Sequence, residues 1–376
     1  MKIVLTGGGT GGHFYPLIAV AQRIHDIARD EKLVDVEMFY LSDAPYDARL
    51  LFENHLTFQK VDAGKMRRYF SIRNIFDGFK TAIGLVRAVL AVYRLYPDVV
   101  FGKGGYASVP TLFAARLLGI PVVIHESDAV PGRANLWAAK FARVIAVAYP
   151  EVASQFPKDK VVVVGTPIRK ELLLPITNNA REFLKVPEGI PVIFVVGGSQ
   201  GAERINDAIL DVLPELVKKY SIIHQTGKNN AATVSQRAGV ILHENEYKER
   251  YIPYAHLDET HMRTVAGVAE LVITRAGSSL FEIAQWKIPS IVIPIPESIS
   301  RDQRTNAFTY ARTGAAVVIE ENNLTPHILL SEIDRIMSDT ALQSEMRKAA
   351  ASFARPDAAE KIARILIGFG LEHESR

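Results

Sequence analysis

Lys2-Ile-Val-Leu-Thr-Gly-Gly-Gly-Thr-Gly-Gly-His-Phe-Tyr-Pro16 is an apolar strand that runs into a glycine-rich turn carrying a histidine, with a helical pattern behind it. Gly7, Gly8, Gly9, Gly11 and Gly12 let the backbone turn tightly and come close to a ligand. The following helix aims its first free N–H groups at an anion such as a pyrophosphate. Such a unit points to a dinucleotide-type α/β fold, yet folds of many activities share it. The rest of the chain narrows the choice.

Apolar runs recur as candidate strands at Ile3–Thr6, Val36–Leu41, Phe58–Asp62, Val99–Gly102, Val122–His125, Val144–Ala148 and Val161–Gly165. Continuous Val/Ile runs of this kind read as strands buried on both faces of a parallel sheet. Gly165-Thr-Pro167 reads as a break. A second series follows at Val192–Val196, Ile222–Gln225, Val240–His243, Leu271–Thr274, Ile291–Ile293 and Ala316–Ile319. It opens with its own glycine turn, Gly197-Gly-Ser-Gln-Gly-Ala202, ahead of a helical pattern from Glu203 to Tyr220. The alternation predicts an α/β protein of two doubly wound Rossmann-like domains facing a cleft, residues 1–165 and 166–352. Phe353 to Gly370 carries Ile362, Ile365 and Leu366 at helical spacing, and residues 353–376 are expected to rejoin the first domain.

The 376 residues exceed one ordinary core, and 48% hydrophobic, 23% charged and 9% aromatic residues fit a folded globular chain. With no cysteine, disulfides, thiolate zinc sites and a cysteine nucleophile are excluded. A net charge of +3 does not advertise a nucleic-acid binder. The N-terminus shows no secretory pattern, so the protein is expected to stay where it is made. The longest apolar stretch, Thr81 to Leu95, is interrupted by Gly84 and Arg87 and predicts no transmembrane helix.

With both glycine turns placed, the chain resembles the bacterial peptidoglycan glycosyltransferases of the MurG family, of the two-domain GT-B class. The resemblance rests on an ordered set of motifs spread over nearly the whole chain. They are Gly8-Gly-Thr-Gly-Gly-His13, Gly102-Lys-Gly-Gly-Tyr-Ala-Ser-Val-Pro110, His125-Glu126, Asn135, Gly165-Thr-Pro-Ile-Arg169, Gly197-Gly-Ser-Gln-Gly-Ala202, Arg275-Ala-Gly277 with Glu282, and Gln303 with Asn306. It implies inverting transfer of N-acetylglucosamine from UDP-GlcNAc to the 4-hydroxyl of an undecaprenyl-diphosphate-linked muramoyl-peptide, in cell-wall synthesis. The chain departs from the family pattern with Asp128 in place of Asn, a shorter spacing from Arg275 to Glu282, and an atypical Ile295-Pro-Glu-Ser-Ile-Ser300.

An imidazole at His13 suits a general base for the acceptor hydroxyl, or a helix cap or phosphate contact; the resemblance favours the base. Glu126 is the second catalytic candidate, to orient His13 or bind the acceptor sugar. For the acceptor diphosphate, Gly104 and Gly105 offer N–H groups with Tyr106 and Ser108 beside them, and Asn135 is assigned to the sugar by family analogy. Lys103 reads as a solvated lysine. The resemblance assigns Thr10, Gly11, Gly12, Asp128, Arg169, Ser199, Gln200, Ser278, Ser279, Glu282 and Gln303 to the donor. Arg169 would add charge to the second-domain phosphate loop of Ser199 and Gln200. An ionised Asp128 near a diphosphate is unfavourable unless paired, with Arg133 the candidate, so an asparagine there is expected to serve as well or better. No Asp-x-Asp or His-Glu-x-x-His pattern occurs, so neither a metal nor another cofactor is expected.

Between Lys65 and Arg94, seven basic residues face a lone Asp77 and alternate with aromatics. Arg73, Phe76, Phe79 and Lys80 are the candidate membrane contacts, basic heads for anionic lipid and rings for the interface. Peripheral binding to the cytoplasmic face of the membrane, with other wall-synthesis proteins as possible partners and no nucleic acid, completes the expectation. The competing readings are another GT-B enzyme, such as a UDP-sugar 2-epimerase or a transferase with a soluble acceptor, and a non-catalytic UDP-GlcNAc-sensing scaffold.

Overall fold

The computed structural model of the chain describes residues 1–63, 73–198 and 201–374, and of residues 73–82, 301 and 374 the backbone alone. The chain divides into two units, Met1–Lys170 with Arg355–Arg376, and Glu171–Ala354. The crossings at Lys170 and Ala354 lie a few residues beyond the borders read from the sequence.

In the first unit the strands are β1 (Lys2–Thr6), β2 (Glu37–Ser42), β3 (Leu56–Lys60), β4 (Val99–Gly102), β5 (Val122–Glu126), β6 (Val144–Val147) and β7 (Val161–Val163). They form one parallel sheet in the order β3-β2-β1-β4-β5-β6-β7. The order reverses between β1 and β4, the place where a doubly wound sheet opens a crevice at its carboxyl ends. The helices are α1 (Gly11–Asp30), α2 (Ala48–Glu53), α3 (Arg73–Leu95), α4 (Val109–Leu117) and α5 (Arg133–Ala138).

Gly84, which interrupts the apolar stretch in the sequence, lets α3 lie against the backbone of Asp62; any Cβ there would run into the Asp62 carbonyl. Arg87, one turn on, pairs with the Asp62 carboxylate. The interruption is therefore a docking point. Among the described residues no helix is long and apolar enough to cross a membrane.

The second unit repeats the plan with β8 (Val192–Val196), β9 (Ser221–Gln225), β10 (Tyr251–Tyr254), β11 (Ala269–Thr274), β12 (Ser290–Val292) and β13 (Ala316–Val318). These pair in parallel as β10-β9-β8-β11-β12-β13, with the reversal between β8 and β11. Its helices are α6 (Ala180–Leu184), α7 (Glu203–Lys219), α8 (Ala231–Ile241), α9 (Glu259–Val268), α10 (Ser279–Trp286), α11 (Arg301–Ala311), α12 (Pro326–Ser338) and α13 (Thr340–Phe353).

One expected strand is wrong. Val240–His243 is the end of α8 and the turn after it, and Val240 is 74% exposed while Val234, Ala238 and Leu242 are buried at helical spacing. The strand is Tyr251–Tyr254 instead. Its Pro253 argues against a central strand, but β10 is an edge, where the missing N–H leaves no ladder bond unmade.

The last helix, α14 (Ala358–Glu374), starts later than read, because Pro356 separates it from α13. Ile362, Ala363, Leu366 and Ile367 are buried in one cluster with Ile3, Leu5, Phe14, Leu17 and Ile24. Arg23–Glu360 and Arg364–Glu31 ion pairs tie α14 to α1 and the turn after it.

Candidate active site

In the first unit, the turns after β1 and β4 lie side by side at the switch point. Gly9 adopts φ +88°, a conformation suited to glycine, and a Cβ on it would stand 3.1 Å from the Tyr106 ring. The Tyr40 hydroxyl donates to the Gly7 carbonyl at 2.6 Å, and the Tyr106 hydroxyl donates to Asp43 at 2.8 Å. Burial and that carboxylate push the Tyr106 phenol up to about 12, so it stays a donor. These two rings, missed in the sequence except for Tyr106, hold the first turn in shape.

Thr10 is the N-cap residue of α1, yet its side chain caps no backbone group. Its hydroxyl lies 3.0 Å from His13 Nδ1 instead. When Nδ1–H donates to Thr10, the Nε2 lone pair is left to take a proton. Burial, with Lys103 second, lowers the His13 pKa to about 4, which keeps the ring neutral at ordinary pH. The ring is stacked close to the second turn: a Cβ on Gly105, at φ +76°, would lie 3.5 Å from it. Gly11 and Gly12 begin α1, so their amides belong to its open first turn.

Glu126 does not hydrogen-bond His13. Its oxygens accept from the Asp128 N–H at 3.1 Å, the Gly132 N–H at 2.8 Å and Asn135 Nδ2 at 2.9 Å, closing the loop between β5 and α5. Burial first, then Asp128, raise its pKa. Asn135 is buried, and it also donates to the His125 carbonyl at 3.1 Å. His125 Nε2 lies 2.8 Å from the Gly165 carbonyl and must carry the proton there, and burial holds the ring uncharged. Ser108 donates its hydroxyl to the Gly105 carbonyl at 2.9 Å, which stabilises the turn.

One further expectation is corrected. Lys103 is not solvated: it is 1% exposed, and its Nζ meets no hydrogen-bond partner among the described residues. Arg169 folds with the first unit, its guanidinium 4.6 Å from the centre of the Tyr15 ring on α1. A planar cation stacks well on such a face, which the sequence alone does not disclose.

In the second unit, the turn after β8 has Gly198 at φ +93° and Gly201 at φ +78°. Gly201 is pressed onto the Thr226 carbonyl and has no room for a side chain. Ala202 precedes α7 with no side-chain cap, leaving that helix's first amides open. Ser199 and Gln200, expected on this loop, lie outside the described residues. Beneath it runs a buried polar chain that the sequence reading passed over. Gln225 donates to the Gly198 carbonyl at 3.2 Å, Asn206 donates to the Thr226 carbonyl at 3.0 Å, and His224 lies 3.0 Å from both Asn206 Oδ1 and the Tyr251 hydroxyl. Burial lowers the His224 pKa to about 3, which suits a fixed neutral strut.

Ser278 and Ser279 open α10, and Glu282 lies in its first turn. Gln303, in the first turn of α11, accepts the Ile295 N–H at 3.3 Å. Asn306 donates to the Ala276 carbonyl at 3.2 Å, so it braces the turn after β11. Arg275 is bound to Glu321 at 2.6 Å and to the Ile293 carbonyl at 3.0 Å, a structural pair. The side chains of Arg73, Phe76, Phe79 and Lys80 lie outside the described residues. Among the described residues no group of three His, Cys, Asp or Glu side chains is placed to hold a metal ion.

Comparison with known proteins accounts for both units. The glycosyltransferase family 28 N-terminal domain matches residues 3–147 and the family 28 C-terminal domain matches residues 192–362. A Clostridium kluyveri protein named UDP-N-acetylglucosamine--N-acetylmuramyl-(pentapeptide) pyrophosphoryl-undecaprenol N-acetylglucosamine transferase is 34% identical over 97% of this chain and 98% of its own. Among solved structures, the MurG of Acinetobacter baumannii superposes with a TM-score of 0.72 at 24% identity, covering 98% of this chain and 99% of that one. A UDP-N-acetylglucosamine 2-epimerase described as putative, from Listeria monocytogenes, also gives 0.72, at 14% identity and 100% and 97% coverage. Both structures speak for the fold alone.

Proposed function

The chain belongs to glycosyltransferase family 28, and from that premise we propose that it moves N-acetylglucosamine from UDP-GlcNAc to the 4-hydroxyl of an undecaprenyl-diphosphate-linked muramoyl-peptide. The observation that carries this reading is the 34% identity to a transferase of that name over 97% of the chain. His13 takes the acceptor proton through Nε2, with Thr10 fixing the ring; a neutral imidazole is the form that can do so. The open first turn of α7 suits the donor's diphosphate, and that of α1, with the Gly104-Gly105 turn beside it, suits the acceptor's, so Gly11 and Gly12 go to the acceptor here rather than to the donor. Attack inverts the anomeric carbon and expels UDP, whose charge the α7 amides stabilise. Glu126, through Asn135 and the loop it closes, positions the acceptor side.

The membrane setting is read from α3. Ile83, Val86, Leu90 and Tyr93 are 53%, 61%, 48% and 64% exposed, at a spacing that puts them on one face, with Arg87 and Arg94 exposed beside them. An apolar strip flanked by cations fits the headgroup boundary of an anionic leaflet, and we place it on the cytoplasmic face, where UDP-GlcNAc is available. The test of the activity is transfer of labelled N-acetylglucosamine from UDP-GlcNAc to a lipid-linked muramoyl-peptide. Label that stays with the nucleotide, or appears as the C2 epimer, would refute the reading in favour of the epimerase fold relatives.

A further inference from the structure

Lys103 is a buried cation that no other feature of the fold explains. It follows β4, its N–H donates to the Thr6 carbonyl at 2.9 Å, and its Cβ lies 3.1 Å from where a Cβ on Gly7 would be. The base of the side chain therefore packs against the first glycine turn, and the second, Gly104-Gly105, follows it directly in the chain. Its ammonium has no hydrogen-bond acceptor among the described residues, and the oxygens of nearby Glu126 are taken up by amides. An unpaired ammonium is costly to bury, and an apolar chain of the same length would pack there more favourably.

The charged and titratable groups that sense Lys103 are His13 on α1, His125 and Glu126 on β5, and Asp128 in the loop after it. Burial lowers its pKa to about 8, against the pull of Glu126 and then Asp128, so it remains mostly protonated at neutral pH. Asp128 is the residue at which the chain carries a carboxylate where an amide was expected. The cation and the additional carboxylate thus occur together.

We propose that Lys103 is the buried cation of the acceptor site and that its field draws the acceptor's diphosphate onto the two glycine turns beside it. The proposal rests on the reading that the acceptor is a lipid-linked diphosphate. Asp128 then belongs with Lys103 rather than with the donor. The sign with pH follows: an anion favours the protonated amine, so acceptor affinity falls as pH rises through about 8. His13 and His125 are already neutral there.

The experiment measures the KM of the lipid-linked acceptor and of UDP-GlcNAc against pH, in the full chain and in Lys103→Met, Lys103→Arg and Asp128→Asn. Lys103→Met should raise the acceptor KM about tenfold or more at neutral pH, leave the donor KM within about twofold, and abolish the inflection near pH 8. Lys103→Arg should restore the acceptor KM and move the inflection beyond the accessible range, because a guanidinium stays charged. Asp128→Asn should move the inflection to lower pH.

An acceptor KM within about twofold of the parent in a folded Lys103→Met overturns the proposal, as does an arginine variant no better than the methionine one. Should Lys103→Met not fold, an inflection unmoved in both other variants overturns it. If the parent transfers nothing, the activity reading has failed and the cation is tested alone by calorimetry with farnesyl diphosphate. Binding that weakens through pH 8 in the parent but not in Lys103→Arg supports Lys103 as an anion site; no binding in the parent at neutral pH overturns it.

Discussion

His13→Ala should lower kcat by ~10²–10⁴-fold while leaving the UDP-GlcNAc KM within about twofold, because proton transfer is felt only in the transition state. In the parent, kcat/KM should hold level down the acid side and fall only as pH approaches about 4, where the imidazole takes up a proton. A kcat near the parent's in the alanine variant would remove His13 from the chemistry. The glycine turn announced His13 in the sequence, because turn and histidine are contiguous. Lys103 was misjudged, and the burial of Asn135 and the stacking of Arg169 went unread, for the opposite reason. Whether a polar side chain is solvated depends on what the tertiary fold lays over it, here the turn at Gly7, the His125 carbonyl and the Tyr15 ring. A lone Lys or Asn carries no trace of that cover.

At the level of elements, Gly201→Ala should raise the donor KM at least tenfold and lower the unfolding temperature. It combines a positive φ with a collision against the Thr226 carbonyl, at the loop proposed to hold the donor phosphates. Donor kinetics like the parent's would detach this loop from UDP-GlcNAc. On α3, serine at Val86 and Tyr93 should weaken co-sedimentation with anionic liposomes and leave the unfolding temperature unchanged, since both side chains are exposed. Binding equal to the parent's would show that this face is not the membrane contact. Most strands were readable because both faces are buried and the apolar run is unbroken. β10 was not, because an edge strand tolerates Pro253, while the end of α8 imitates a strand with three apolar residues in a row.

For the whole molecule, the return of the chain to its first unit decides stability. Ending the chain at Ala354 removes Ile362, Leu366 and Ile367 from the first core, each worth ~1.5–3 kcal/mol when fully buried, which rivals the roughly 5–15 kcal/mol that holds a domain folded. Such a truncation should unfold the first unit and spare the second, seen as loss of one calorimetric transition with UDP binding retained. Two intact transitions would show that α14 is dispensable. The same return fixes an order of events during synthesis. The second unit is continuous from Glu171 to Ala354, so all of it is synthesised before the helix that completes the first unit's core. The half made first therefore closes its core last, and until α14 docks its sheet leaves Ile3, Leu5 and Phe14 open to chaperones.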